Sequence, residues 1–144
     1  MIIKNILVPV DGSKYSFKAF DAALDIAKKY DAKISVLTCL EKENISAWCI
    51  NKKVHMQIIK DAEKFARDFL SKLEHMAKDS QVSLSVHILE TKSISKQIAT
   101  FAASKKIDLI VMGSHGRTGF NQFVLGSVSN AVSHLAKCPV LIIK

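Results

Sequence analysis

Residues 107–127 read IDLIVMGSHGRTGFNQFVLGS. An apolar run of strand character, IDLIVM, gives way at Gly113 to a polar, glycine-rich stretch. The chain holds five glycines, and four of them (Gly113, Gly116, Gly119 and Gly126) fall here. A buried strand that runs into closely spaced glycines and then a helix start fits an open α/β sheet, whose ligand loops leave the carboxyl ends of strands. The reading turns on whether the rest of the chain alternates strand and helix.

It does. IIKNILVPV (2–10), rich in Ile and Val, reads as a buried strand. From Ser13, a good N-cap, Phe17, Phe20, Ala23, Leu24 and Ala27 recur at helical spacing. AKISVLTCL (32–40) is a second strand, and 41–54 is expected to be a connecting loop. The longest helical stripe follows: Ile58, Ile59, Ala62, Phe65, Ala66, Phe69, Leu70, Leu73, Met76 and Ala77. VSLSVHILE (82–90) alternates, so it is a third strand with one face more exposed. Ser95 to Lys105 presents Ile98, Phe101 and Ala102 as a helix. IDLIVMG is the fourth strand. A helix from Ser127 is expected to bury Val128, Ala131, Val132 and Leu135, and PVLIIK (139–144) is the last strand. Strands joined by helices are parallel, and right-handed crossovers place the helices on both faces. The expectation is a single doubly wound α/β domain over residues 1–144, built on a five-stranded parallel sheet.

Composition narrows the function. With 144 residues, 49% apolar and 24% charged, the chain is long enough to bury a core and has an ordinary globular balance. No apolar run nears the ~18 residues that span a bilayer, and the amino terminus lacks a signal-peptide pattern, so a cytoplasmic protein without membrane contact is expected. Cys39, Cys49 and Cys138 show no CxxC spacing and read as free thiols. A net charge of +8 suits a polyanion. The lysines are scattered, however, and few aromatics interleave with them, which argues against nucleic acid.

In a doubly wound sheet, the tip of strand 1 (Pro9, Val10, Asp11) and the glycine cluster after strand 4 meet at one crevice. Gly113 and Gly116 allow a sharp turn and a close backbone approach to a ligand. Gly126 and Ser127 open a helix whose free N–H groups and positive dipole end favour an anion. Ser127 and Ser129 add hydroxyls, and Arg117 adds a charge. The loop is neither a P-loop nor GxGxxG. A phosphate site and a glycine-rich surface turn before a capped helix both remain open on this pattern alone.

The spacing Gly113-x2-Gly116-x9-Gly126-Ser127 resembles the G-x2-G-x9-G-[S/T] signature of the universal stress protein family. ILVPVDGS (6–13), DLIVMGSHGRTG (108–119) and KCPVLIIK (137–144) resemble its first strand and turn, its fourth strand and loop, and its last strand. The resemblance covers essentially the whole chain. It implies an adenine nucleotide alpha hydrolase-like sheet ordered 3-2-1-4-5, ATP binding, and a homodimer through strand 139–144. Carried over residue by residue, Pro9, Val10 and Asp11 would approach the adenosine. Cys39 stands where the family often has valine against the adenine, and Met112 would line the base pocket. Gly113, Ser114, His115, Gly116, Arg117 and Gly119 would wrap ribose and phosphates. Gly126, Ser127, Val128 and Ser129 would hold the phosphate end. Mg²⁺ or Mn²⁺ would bridge the phosphates.

No catalytic residue is assigned. His115 lacks an adjoining histidine or cysteine, so backbone positioning or a phosphate hydrogen bond is favoured over catalysis, and at most slow hydrolysis is expected. His55, His75, His87 and His134 lack metal-ligand spacing. The function expected is an ATP-dependent regulatory switch of the stress response with protein partners. The alternative is a nucleotide-independent dimeric interaction module. A ligase-type adenylyltransferase is disfavoured, because only DGSKYS follows strand 1.

Overall fold

The computed structural model describes residues 1–42, 52–118 and 124–144. Among these, β1 (Asn5–Pro9), α1 (Lys14–Tyr30), β2 (Lys33–Glu41), α2 (Lys52–Asp79), β3 (Leu84–Thr91), α3 (Ile94–Ser104), β4 (Leu109–Gly113), α4 (Ser127–Leu135) and β5 (Val140–Ile143) follow in order. The five strands form one parallel sheet ordered β3-β2-β1-β4-β5. The chain winds one way from β1 to β3 and the other way from β4 to β5, so the reversal falls between β1 and β4.

Period-2 alternation sorts the strand residues into two cores. Ile6, Val8, Val36 and Val111 face α1 and α2, packing on Phe20, Leu24, Phe69, Leu70 and Leu73. Leu7, Leu37, Ile110 and Met112 face the other way, onto Ile98 and Phe101 of α3 and Val132 of α4. At the far end of the β1–β4 seam, the Asp108 carboxylate accepts from the N–H groups of Lys4 (2.9 Å) and Asn5 (2.8 Å). That bond fixes where β1 begins against β4, and so where both strands end.

Three local expectations are corrected. Helix α2 starts at Lys52, inside the stretch read as a loop, because Val54 and Ile58 extend its apolar stripe one turn at a time. Glu41 at the other end of that stretch closes β2, and residues 43–51, with Trp48 and Cys49, lie outside the described residues. Second, Ile58 is 50% and Phe65 47% exposed, although both belong to the stripe. A 28-residue helix is about 42 Å long, longer than the strands it packs on, which accounts for Ile58 near its start, whereas Phe65 sits in its middle beside buried Ala66 and presents its ring sideways. Third, Leu135 is exposed at the end of α4, with Val132 and Ser129 the buried residues of that helix. No helix among the described residues is long and apolar enough to cross a membrane.

Candidate functional site

A cavity of about 510 Å³ opens where the sheet reverses, beyond the carboxyl ends of β1 and β4. Its deep end is apolar: Leu37 and Cys39 from β2, Ile94 and Ile98 from α3, and Met112 from β4. Pro9, Val10 and Asp11 form the β1 side, and the chain from Gly126 to Ser129 forms the opposite rim. Burial alone pushes the Cys39 thiol up from 9.0 to about 11, so this end is a place for a neutral group.

The rim at α4 is built differently from an ordinary helix start. Gly126 is the N-cap and has no side chain to turn back on the helix. Asn130 N–H already reaches the Gly126 carbonyl at 2.9 Å, closing the first helical turn. The N–H groups of Ser127, Val128 and Ser129 are then the unpaired donors of the first turn among the described bonds, and all three residues line the cavity. Three open donors and the positive end of the helix dipole border a half-open cavity.

What holds this rim in place is Ser114. Its N–H donates to Ile143 of β5 at 2.7 Å, and its carbonyl accepts from Gly126 N–H and from Ser129 Oγ, both at 2.8 Å. Its hydroxyl meets His115 Nδ1 at 3.0 Å. Every polar atom of Ser114 is engaged inside the protein, and the residue is buried and does not line the cavity. Ser114 therefore braces the rim of the cavity rather than lining it. The Ser129 hydroxyl likewise turns inward, toward the Ser114 and Gly126 carbonyls, so its backbone N–H is what it can offer an anion.

His115 closes the other side of the loop. Its Nε2 bonds the Val124 carbonyl, and a carbonyl only accepts, so Nε2 carries the hydrogen. In the neutral ring Nδ1 then accepts from the Ser114 hydroxyl. Both nitrogens are spent on joining 114 to 124, and the ring leans on Tyr15 at 5.4 Å. These contacts brace the loop backbone between 114 and 124.

The glycines serve packing. A Cβ on Gly113 would sit 2.7 Å from Tyr15 Cβ, and one on Gly126 2.8 Å from the Ser114 carbonyl oxygen. Neither glycine has a positive φ, so close approach of protein to protein explains them. Gly113 also lines the cavity, so its bare backbone is open on that side. Gly116 sits over Asp11, whose Oδ2 would be 2.9 Å from an added Cβ. Gly119 lies outside the described residues.

Arg117 lines the cavity, with its guanidinium 4.6 Å from the ring centre of Phe65 on α2. Among the described lining residues it is the one lysine or arginine, and Asp11 the one carboxylate. No group of three or more His, Cys, Asp or Glu able to hold a metal occurs among the described residues. Asp11 spends one oxygen accepting from Ser13 N–H at 2.9 Å.

Several lining residues were not foreseen: Ser16, Leu37, Ile94, Ile98, Thr118, Val124 and Leu125. Two had a readable signal. Leu37 lies two residues before Cys39, hence on the same strand face, and Ile94 lies one turn before Ile98 on α3.

The architecture and the chain have known relatives. The Lactobacillus plantarum universal stress protein UspA superposes with a TM-score of 0.89 at 26% identity, covering 100% of this chain and 99% of that one. A universal stress protein of Methanocaldococcus jannaschii is 32% identical over 99% of this chain and 83% of its own. Two more distant solved structures share the fold. One is the Archaeoglobus fulgidus universal stress protein in complex with dAMP (TM-score 0.70, 23% identity, 100% of both chains). The other is an Arabidopsis thaliana family protein with AMP bound (TM-score 0.71, 17% identity, 98% of this chain and 91% of that one). The model of the Universal stress protein family matches residues 3–144, and with sheet order, relatives and span in agreement, this chain belongs to that family.

Proposed function

We propose that this chain is a cytoplasmic ATP-binding regulatory protein of the universal stress response, a nucleotide-dependent switch with at most slow hydrolysis. One observation carries the reading: the bare N-terminus of α4, with three N–H donors unpaired among the described bonds, borders a half-open cavity whose remaining lining is largely apolar. That is the polarity of a nucleotide, a flat base at one end and phosphate at the other. The dAMP and AMP held by two structural relatives support adenine as the base. Leu37, Cys39, Ile94, Ile98 and Met112 would surround it, Asp11 would meet a polar edge of the adenosine, and Ser127 to Ser129 would take phosphate. Mg²⁺ or Mn²⁺ would sit on the phosphates with its own waters, because Asp11 is the sole lining carboxylate among the described residues. His115 offers no free ring nitrogen to activate water, which fits slow turnover.

The protein would act as a homodimer. Strand β5 pairs β4 on one side, and Leu141 is 38% exposed on this edge strand. Pairing of 139–144 with a two-fold copy would cover it. Protein partners then read the nucleotide state.

A second reading, a nucleotide-independent interaction module, draws on Val54, Met56, Ile58 and Phe65, all large, apolar and exposed on α2. The deciding experiment is mass spectrometry of small molecules released on denaturing the purified protein, with titrations of ATP and AMP, each with and without Mg²⁺. Recovered adenine nucleotide, or micromolar binding, upholds the first reading. No binding up to millimolar concentration gives the second.

A further inference from the structure

Arg117 stands between two places. It lines the main cavity, and it also lines a smaller one of about 310 Å³ on the opposite face of the sheet, bounded by Phe65 and Phe69 of α2. Its guanidinium lies over the Phe65 ring. The main cavity supplies little positive charge of its own. The α4 N-terminus is worth roughly half an elementary charge, which matches a monophosphate far better than a triphosphate. Asp11 adds a negative charge at the β1 side. Among the described lining residues, the one lysine or arginine available to a longer phosphate chain is Arg117, and the next residue back is Gly116, which carries no side chain to obstruct its reorientation.

On the adenine-nucleotide reading above, we propose that Arg117 is the specificity-determining residue by which this site distinguishes a triphosphate from a monophosphate. It leaves the Phe65 ring to pair with the outer phosphates, and Phe65 is its competing partner. AMP leaves the Arg117–Phe65 contact in place, whereas ATP releases Phe65 from the guanidinium.

The test is titration calorimetry of AMP and ATP against five proteins: wild type, Arg117→Gln, Arg117→Lys, Phe65→Leu and the Arg117→Gln/Phe65→Leu double variant. Both positions are exposed, so each variant is expected to fold, and circular dichroism checks this. Arg117→Gln should weaken ATP about tenfold while leaving AMP within twofold, as loss of one charge-assisted contact predicts. Phe65→Leu should tighten ATP about two- to fivefold, the worth of an exposed cation–π contact, without changing AMP. In the Arg117→Gln background Phe65→Leu should have no effect, because it acts through the arginine. Arg117→Lys should retain most of the preference for ATP. Equal losses for AMP and ATP in Arg117→Gln, or a Phe65→Leu effect that persists without the arginine, would overturn the proposal. Wild-type protein that binds neither nucleotide overturns the adenine-nucleotide reading itself, and this inference with it.

Discussion

Helices α1 and α4 both begin at the rim of the same crevice, yet α1 closes its first turn with side chains and α4 leaves its first turn bare. At α1, the Ser13 hydroxyl accepts from Ser16 N–H at 3.2 Å, and Asp11 accepts from Ser13 N–H at 2.9 Å. Ser16 then returns its own hydroxyl to the Ser13 carbonyl at 2.8 Å. At α4 the N-cap is Gly126, with no side-chain bond to the helix. One terminus is satisfied by the protein, the other is left for something else. On the proposed function, that difference would put the anion at α4 rather than at α1, in a crevice that both helix N-termini border.

The two termini are also tied together, and cutting that tie should have the largest effect. Gly113 at the end of β4 packs directly on Tyr15 in the first turn of α1, where an added Cβ would lie 2.7 Å from one side-chain atom and 2.9 Å from the backbone. Gly113→Val must push α1 off the sheet or twist β4. A loss of about 3 kcal/mol is expected, read as a fall in the urea midpoint. An unchanged midpoint would mean that the two elements can slide apart freely.

Ser127→Pro tests the bare terminus itself. Ser127 is the first residue of α4, where proline is welcome, and Gly126 at φ −59, ψ 154 already has the conformation that precedes a proline. The substitution deletes one open N–H and leaves the helix intact. Adenine-nucleotide affinity should fall about tenfold while the melting temperature holds, as expected for one hydrogen bond to a charged group. Ser127→Ala, which keeps the N–H, should lose less. Equal losses would assign the contact to the hydroxyl instead.

Ser13→Ala is the mirror experiment. Removing the cap of α1 should cost about 1 kcal/mol of stability and leave nucleotide affinity within twofold, because the donors of that helix already serve the fold. If affinity fell with stability, the two termini would act as one site.

How much of this the sequence disclosed depends on the range of the interaction. Strand and helix order follow from local periodicity, and the cap at Ser13 from a residue type and its neighbours. Both were legible. The role of Gly126 was half legible: its place before a helix pointed to an anion, but its contact with the Ser114 carbonyl is tertiary and leaves no mark on local pattern. Ser114 shows the same limit more sharply. Its position in a polar, glycine-rich loop suggested a ligand contact, whereas its polar atoms close on β5, His115 and α4. Arg117 rests on Phe65, a residue that helical spacing assigned to the core.

The smallest change is expected deep in the cavity, at the end that both helix termini leave apolar. Cys39→Val replaces a small half-buried thiol with a side chain of similar bulk, so stability at pH 7 should move by less than about 1 kcal/mol and base affinity by no more than a few-fold. The substitution becomes visible in alkali. Burial raises the Cys39 thiol from 9.0 to about 11 in the folded chain, while the unfolded chain keeps the ordinary value. Above pH 9 the unfolded state therefore binds fewer protons than the folded one, and stability falls as pH rises. The contribution of the protonated thiol is whole below pH 9 and lost through the window up to about 11. Urea midpoints measured from pH 8 to 11 should decline less steeply for Cys39→Val than for wild type. Parallel curves would place Cys39 in contact with water rather than against the floor of the cavity.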